Sequence, residues 1–154
     1  MELTQNTYRA SPRAYAAPAA GSVQRLSPYL LTALRVVAAL LFLEHGASRL
    51  FGFPSPLPTP DTFTLLWFAG AIELLGGLLL LTGLFTRPVA LLMSGEMAFA
   101  YFLSHAPRGF FPILNGGDAA ILYCFVFLYL AFAGAGPWSL DALWRKRAVV
   151  GKSA

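Results

Sequence analysis

The sequence predicts an all-α membrane protein, a single bundle of four transmembrane helices, and three observations carry that reading. Of 154 residues 57% are apolar and only 12% charged, whereas charged residues make up about a quarter of a soluble domain. The apolar residues gather in four stretches separated by turns rich in Pro and Gly. The charges are segregated: Arg145, Lys146, Arg147 and Lys152 follow the last stretch, and Arg9, Arg13 and Arg25 precede the first. A net charge of +4 distributed in this way reads as membrane orientation and not as nucleic-acid binding. The one cysteine, Cys124, stands in an apolar run, which excludes an intrachain disulfide or a CxxC exchange motif.

Each element follows from local signals. Residues 1–27 form a flexible, mildly basic tail with no apolar core of the length a secretory signal needs, so the first span is expected to act as an uncleaved signal anchor. The four-helix membrane domain covers residues 28–136. Its first span, 29–51, starts after Pro28 and is interrupted only by Arg35, Glu44, His45 and Arg49. The Pro-rich link from Phe53 to Pro60 cannot continue a helix, and Asp61 or Thr62 is placed to cap the second span, 62–84. Gly83 then supplies a C-terminal cap, Thr86 an N-terminal cap and Pro88 a first-turn proline, which makes spans two and three an antiparallel hairpin.

The third span, 88–104, ends in the loop HAPRGFFPILNGG, whose Phe and Ile residues suit the membrane interface. The fourth runs over 118–135. Pro137 and Ser139 stop and restart the chain, and within residues 137–154 the stretch LDALWRKR has the Trp, leucines and cationic end of a short amphipathic helix lying on the cytoplasmic membrane surface. An even number of spans puts both termini on one side. The basic tails and Arg87 fall together there, opposite only Arg49 and Arg108, so both ends are expected in the cytoplasm and the protein in the inner membrane.

Apolar sequence inserts readily, so the information lies in ionisable residues kept at about 2.5–3.5 kcal/mol each near the bilayer centre. Glu73 shares a helical face with Ala69, Gly76, Gly77 and Leu80, a small-residue face that lets helices approach, and so points into the bundle. Glu96 sits at a similar depth in the third span, and the two carboxyls could meet as a proton relay. Arg35, Phe42, His45, Gly46 and Arg49 form a stripe on the first span, making His45 and Arg49 the natural partners of those carboxyls. With the N-terminus inside, His45, Arg49, His105, Asn115 and Asp118 gather at the outer helix ends as ligand-binding candidates, and Glu73 and Glu96 lie deeper, giving a polar funnel.

Each group also has a structural role to weigh. Asn115 and Asp118 are spaced like a helix cap and its acidic partner. Arg49 and His105 can snorkel to the headgroups. Glu73 and Glu96 can fix helix register as an ion pair or a protonated carboxyl. Two histidines near span ends are a weak pattern for haem, and a metal held by Glu73, Glu96 and a histidine is equally unspecific, so neither cofactor is expected.

The segments RVVAALLFLEHGASRLFGF, AIELLGGLLLLTGLFTRPVALL, NGGDAAILY and GAGPWSLDAL resemble, in order and spacing, the DoxX family of small four-helix membrane proteins, over residues 35–143. Matching positions are Arg35, His45, Gly46 and Arg49, then Glu73, Gly76 and Gly77, then Arg87, and finally Asn115, Gly116, Gly117 and Asp118. Arg49 stands where a lysine is common, which keeps the charge but not a titratable amine. The resemblance implies a link to quinone or oxidative-stress chemistry, since the family takes its name from a subunit associated with thiosulfate:quinone oxidoreductase and other members resemble a component that brings soluble redox enzymes together.

Three functions follow as expectations. The first is a redox-linked subunit that binds a quinone headgroup, with His45 or Arg49 polarising a carbonyl oxygen, Glu73 or Glu96 passing protons, and a soluble oxidoreductase partner supplying electrons. The second is a non-enzymatic scaffold that docks partners through its basic C-terminal helix. The third is a small-solute or proton-coupled transporter, against which the tight hairpin over 76–88 argues and for which a homodimer could supply a second opening.

Overall fold

The computed structural model describes residues 21–55 and 59–150. Of the basic tail, residues 1–20 lie outside the described residues, as do 56–58 in the Pro-rich link and 151–154 at the C-terminus. The described chain is all helical: α1 (Ser22–Phe51), α2 (Leu65–Thr82), α3 (Thr86–Ala100), the short α4 (Pro112–Asn115), α5 (Asp118–Ala133) and α6 (Leu140–Val150). Three segments are long and apolar enough to cross a membrane, Gln24–Phe51, Leu65–Thr82 and Thr86–Arg108, and α5 is a shorter apolar helix. Large apolar side chains cover the outside, Phe132 at 74% exposure among them. A soluble protein cannot sustain such a surface, and lipid can.

The helices associate as two antiparallel pairs, α1 with α2 and α3 with α5. Lipid tails are as apolar as leucine, so close backbone approach has to hold a membrane pair together. The α1–α2 seam is built that way. A Cβ on Gly46 would lie 2.5 Å from the Leu74 backbone nitrogen, one on Gly70 would lie 3.1 Å from Arg49 Cβ, and one on Gly77 would lie 2.9 Å from Leu43 Cγ. Ser94 Oγ donates to the Cys124 carbonyl at 2.8 Å between α3 and α5. Phe42 joins the pairs, edge-on to Phe127 and Tyr123 with ring centroids 4.6 and 4.8 Å apart. Around it lie Leu80, Ala90, Met93 and Leu130, all fully buried.

At the basic end of the bundle the fully buried Arg35 of α1 ties three segments together. Its guanidinium donates to the carbonyls of Leu80 and Leu81 at the end of α2, of Ala135 beyond α5, and of Trp138. Leu80 and Leu81 lie in the last turn of α2, where a cation is favoured, and Ala135 and Trp138 lie in the link between α5 and α6. Asp141 makes a second tie: its two carboxylate oxygens accept from the backbone N–H groups of Phe85 and Thr86, each at 2.9 Å, and its own N–H donates to the Gly83 carbonyl. Phe85 sits at φ 50°, an unfavourable conformation for a non-glycine residue, and this clamp holds it there.

Several caps differ from the sequence expectation. The first helix begins at Ser22 and carries Pro28 within it instead of starting beyond it. Thr64, not Asp61 or Thr62, caps α2 by accepting from the Trp67 N–H. Thr86 is the first residue of α3 and its side chain caps nothing, because Asp141 takes that role from afar. Gly83 at φ 68° does end α2.

Arg35→Met keeps the bulk but strips four carbonyls of their donor, and thermal unfolding in detergent should show a loss above about 3 kcal/mol. Gly46→Ala should lose about 1–3 kcal/mol through overpacking. Gly95→Ala, where a Cβ meets nothing within 4 Å, should be neutral or stabilising by up to about 1 kcal/mol. Equal responses at the two glycines would contradict the seam.

Candidate functional site

Helices α2 and α3 touch where Met93 covers Gly76, a Cβ on which would lie 2.7 Å from the Met93 sulfur. Away from that contact they leave a cleft of about 720 Å³ between the two helix pairs. Its walls are apolar: Leu65, Leu66, Phe68, Ala69 and Ile72 from α2, and Pro88, Leu91, Leu92, Gly95 and Phe99 from α3. Many of these side chains are themselves exposed, so the cleft opens sideways, toward the surface read as lipid-facing. From Pro88 to His105 it follows the third helix for about 25 Å at 1.5 Å per residue. Four polar residues, Arg49, Glu96, Ser104 and His105, line it.

Behind this polar group lies an ion pair. Arg49 Nε is 3.0 Å from Glu73 Oε2, with Glu73 only 1% exposed and Arg49 32%. The N–H does not point squarely at the oxygen, which is left without an aligned hydrogen bond. The interaction is a charge contact with part of its bonding capacity unspent. The backbone explains the pairing, since Arg49 Cβ rests on Gly70, one helical turn from Glu73. Glu96 Oε2 is also buried and without a hydrogen-bond partner. A buried carboxylate oxygen without a partner is costly, and Glu96 itself lines the cleft wall.

The cleft's polar end is shaped by a local change of helix type. After Ala100 the third helix widens into a π-helical stretch, Tyr101–His105, and closes with a 3₁₀ turn, Ala106–Arg108. Such widenings recur at functional sites because they re-aim side chains, and here the π stretch supplies Leu103, Ser104 and His105 to the cleft. His105 Nδ1 lies 3.1 Å from both the Asn115 carbonyl and Arg108 Nη2. One nitrogen cannot donate to the first and accept from the second at once, so the proton on His105 selects between them.

The predicted residues thus separate. Arg49, Glu96 and His105 all line the cleft, Glu96 and His105 about 13 Å apart along the third helix, with Glu73 reached through Arg49. His45 does not line it. Its Nδ1 bonds the Leu41 carbonyl of its own helix, and its ring leans toward Phe42 and Tyr123 on the α5 side. Asn115 is buried but is not the cap of α5, which is Gly117; its amide instead donates to the Gly109 carbonyl and accepts from the Gly117 N–H, stapling the loop. Asp118 is exposed in the first turn of α5. Among the described residues no three His, Cys, Asp or Glu side chains gather closely enough to hold a metal ion. Sequence reasoning missed Ser104 and the π stretch, for which no residue pattern offers a signal.

The DoxX family model matches residues 30–106. An uncharacterized protein of Haemophilus influenzae is 42% identical over 132 residues, covering 82% of this chain and 98% of that protein. An uncharacterized membrane protein of Mycobacterium tuberculosis is 28% identical over 140 residues, covering 79% of this chain and 85% of its own. No solved structure matches the chain. The family match spans half of the chain and the apolar helices agree with it, and the chain belongs to the DoxX family of membrane proteins.

Proposed function

We propose that this protein is a quinone-linked membrane subunit that holds a quinone in the α2–α3 cleft, its tail along the apolar walls and its ring at Arg49, Glu96 and His105. One observation carries the reading: a long apolar cleft, open to the side, is lined by Glu96, whose buried Oε2 has no partner among the described residues. A lipid-soluble molecule with a polar head fits both halves, and a water-soluble substrate fits only the second. Bound there, a quinone supplies two-electron, two-proton redox chemistry. Arg49 would donate toward a ring oxygen, Glu73 would hold that guanidinium in place, and Glu96 Oε2 would carry a proton at the cleft wall. His105, poised between Asn115 and Arg108, would be a second proton carrier about 13 Å farther along the third helix. Electrons would come from a soluble oxidoreductase partner.

The topology we propose completes this picture. Helix α5 serves as a fourth span, about 24 Å long, upright beside α3. Arg25, Arg87, Arg145, Lys146 and Arg147 share one end of the antiparallel bundle, opposite Arg49 and Arg108. The excess of positive charge makes the first end cytoplasmic, in the inner membrane, with α6 on the membrane surface and available to a soluble partner. In the scaffold reading the same basic helix docks partners, and the Arg49–Glu73 pair does no more than lock the α1–α2 seam.

Gly95 separates the two readings, because it lines the cleft and a side chain there meets no protein atom at its base. Protein purified in mild detergent should yield near-stoichiometric quinone on solvent extraction and mass spectrometry. Gly95→Leu should unfold no earlier than the native chain yet lose most of that quinone, and Glu96→Gln should weaken its retention. Reproducible absence of quinone from the native chain, or full retention by Gly95→Leu, would overturn the assignment and favour the scaffold.

A further inference from the structure

At the opposite, basic end of the bundle, the structure assigns a second site that the quinone reading does not use: we propose that Arg87 and Arg145 grip the phosphate of an anionic phospholipid headgroup. Between them lies a pocket of about 270 Å³, lined also by Gly134, Ala135, Asp141 and Trp144. The Arg87 guanidinium lies over Gly134, its Nε and Nη2 each 3.6 Å from where a Cβ would be, and makes no hydrogen bond or ion pair among the described residues. Arg145 spends only Nε, on the Asp141 carbonyl at 3.4 Å. Two guanidinium forks with unspent N–H groups therefore face one pocket, the arrangement that matches the oxygens of a phosphate.

The acidic residue of the pocket does not cancel them. Both oxygens of Asp141 are taken by the N–H groups of Phe85 and Thr86 at the start of α3, which leaves the pocket net positive and rigidly framed, since the same bonds seat α6 against the α2–α3 turn. The surroundings select a lipid over a free phosphate. Trp144 and Phe85 pack edge-on with ring centroids 5.7 Å apart, both about half exposed, at the level where aromatic rings favour the interface. Phe132 presents an apolar surface on α5 just before Gly134, along which acyl chains can lie. Basic pockets at the cytoplasmic ends of membrane helices are built to hold such headgroups.

The test is lipid binding by the full chain in mild detergent, followed by native mass spectrometry and thermal shift. Phosphatidylglycerol should bind and raise the melting temperature, and phosphatidylcholine at equal concentration should not. Arg87→Gln with Arg145→Gln should weaken phosphatidylglycerol binding about tenfold or more, whereas Lys146→Gln with Arg147→Gln, equally exposed on α6 but outside the pocket, should change it by less than about threefold. Inorganic phosphate at millimolar concentration should not compete. Unchanged binding in the first double variant, equal losses in both, or competition by inorganic phosphate would each overturn the assignment.

Discussion

The rest of the structure depends on the backbone contact between α1 and α2 at Gly46. There the two helices approach until no side-chain atom fits between Gly46 and Leu74, and in a solvent as apolar as the core itself this approach is what makes the pair adhere. It also fixes register. With Gly46 on Leu74 and Gly70 under Arg49, the arginine is set against Glu73, and the 3.0 Å ion pair follows. A buried ion pair contributes little net stability but is strongly unfavourable to break, so it makes any other register of the seam expensive.

The cleft is the complement of this economy of contact. Two tight pairs, α1–α2 and α3–α5, meet through Phe42 and through Met93 over Gly76, and away from the α2–α3 contacts the cleft lies between those two helices. One end of the bundle is stitched by Arg35 and Asp141, which bind helix-end carbonyls and amides into a rigid base. The other end carries the π stretch and the loop stapled by Asn115. The cleft therefore sits between a fixed base and an irregular rim, and its polar residues are drawn from the first helix and from the third on both sides of its widening, so packing between helices helps to set their spacing.

Much of the helical layout is legible in the residues because bilayer chemistry leaves few alternatives. Gly83 ending α2 follows from its residue type at the end of an apolar run, and Glu73 facing inward among glycines follows from 3.6-residue periodicity, which leaves His45 and Arg49 equally placed as partners. The failures share a cause, pairing that residue type and spacing do not encode. Thr86 has the right residue type and position for a cap, but Asp141, far along the chain, reaches the same N–H group. Asn115 is spaced to cap α5, yet its amide finds Gly109 within its own loop. His45 and Arg49 lie one turn apart on α1, but the small angle between them is enough to send one toward Tyr123 and the other toward Glu73. Arg35, read with them as one stripe, is spent on carbonyls at the far end. The widening at Tyr101–His105 leaves no mark in composition.

The central claim is that the α2–α3 cleft accommodates a lipid-soluble ring compound with its head at Arg49, Glu96 and His105. Its most direct test is photo-crosslinking in native membranes with a quinone analogue carrying a photoreactive tail, followed by mass-spectrometric mapping of the labelled peptides. The account predicts label on the cleft walls, at Leu92, Phe99 and Phe68, with unlabelled quinone competing it away. Competable label concentrated on α1 and α5 around His45 and Tyr123, or label spread evenly over the lipid-facing surface and indifferent to competitor, would contradict it.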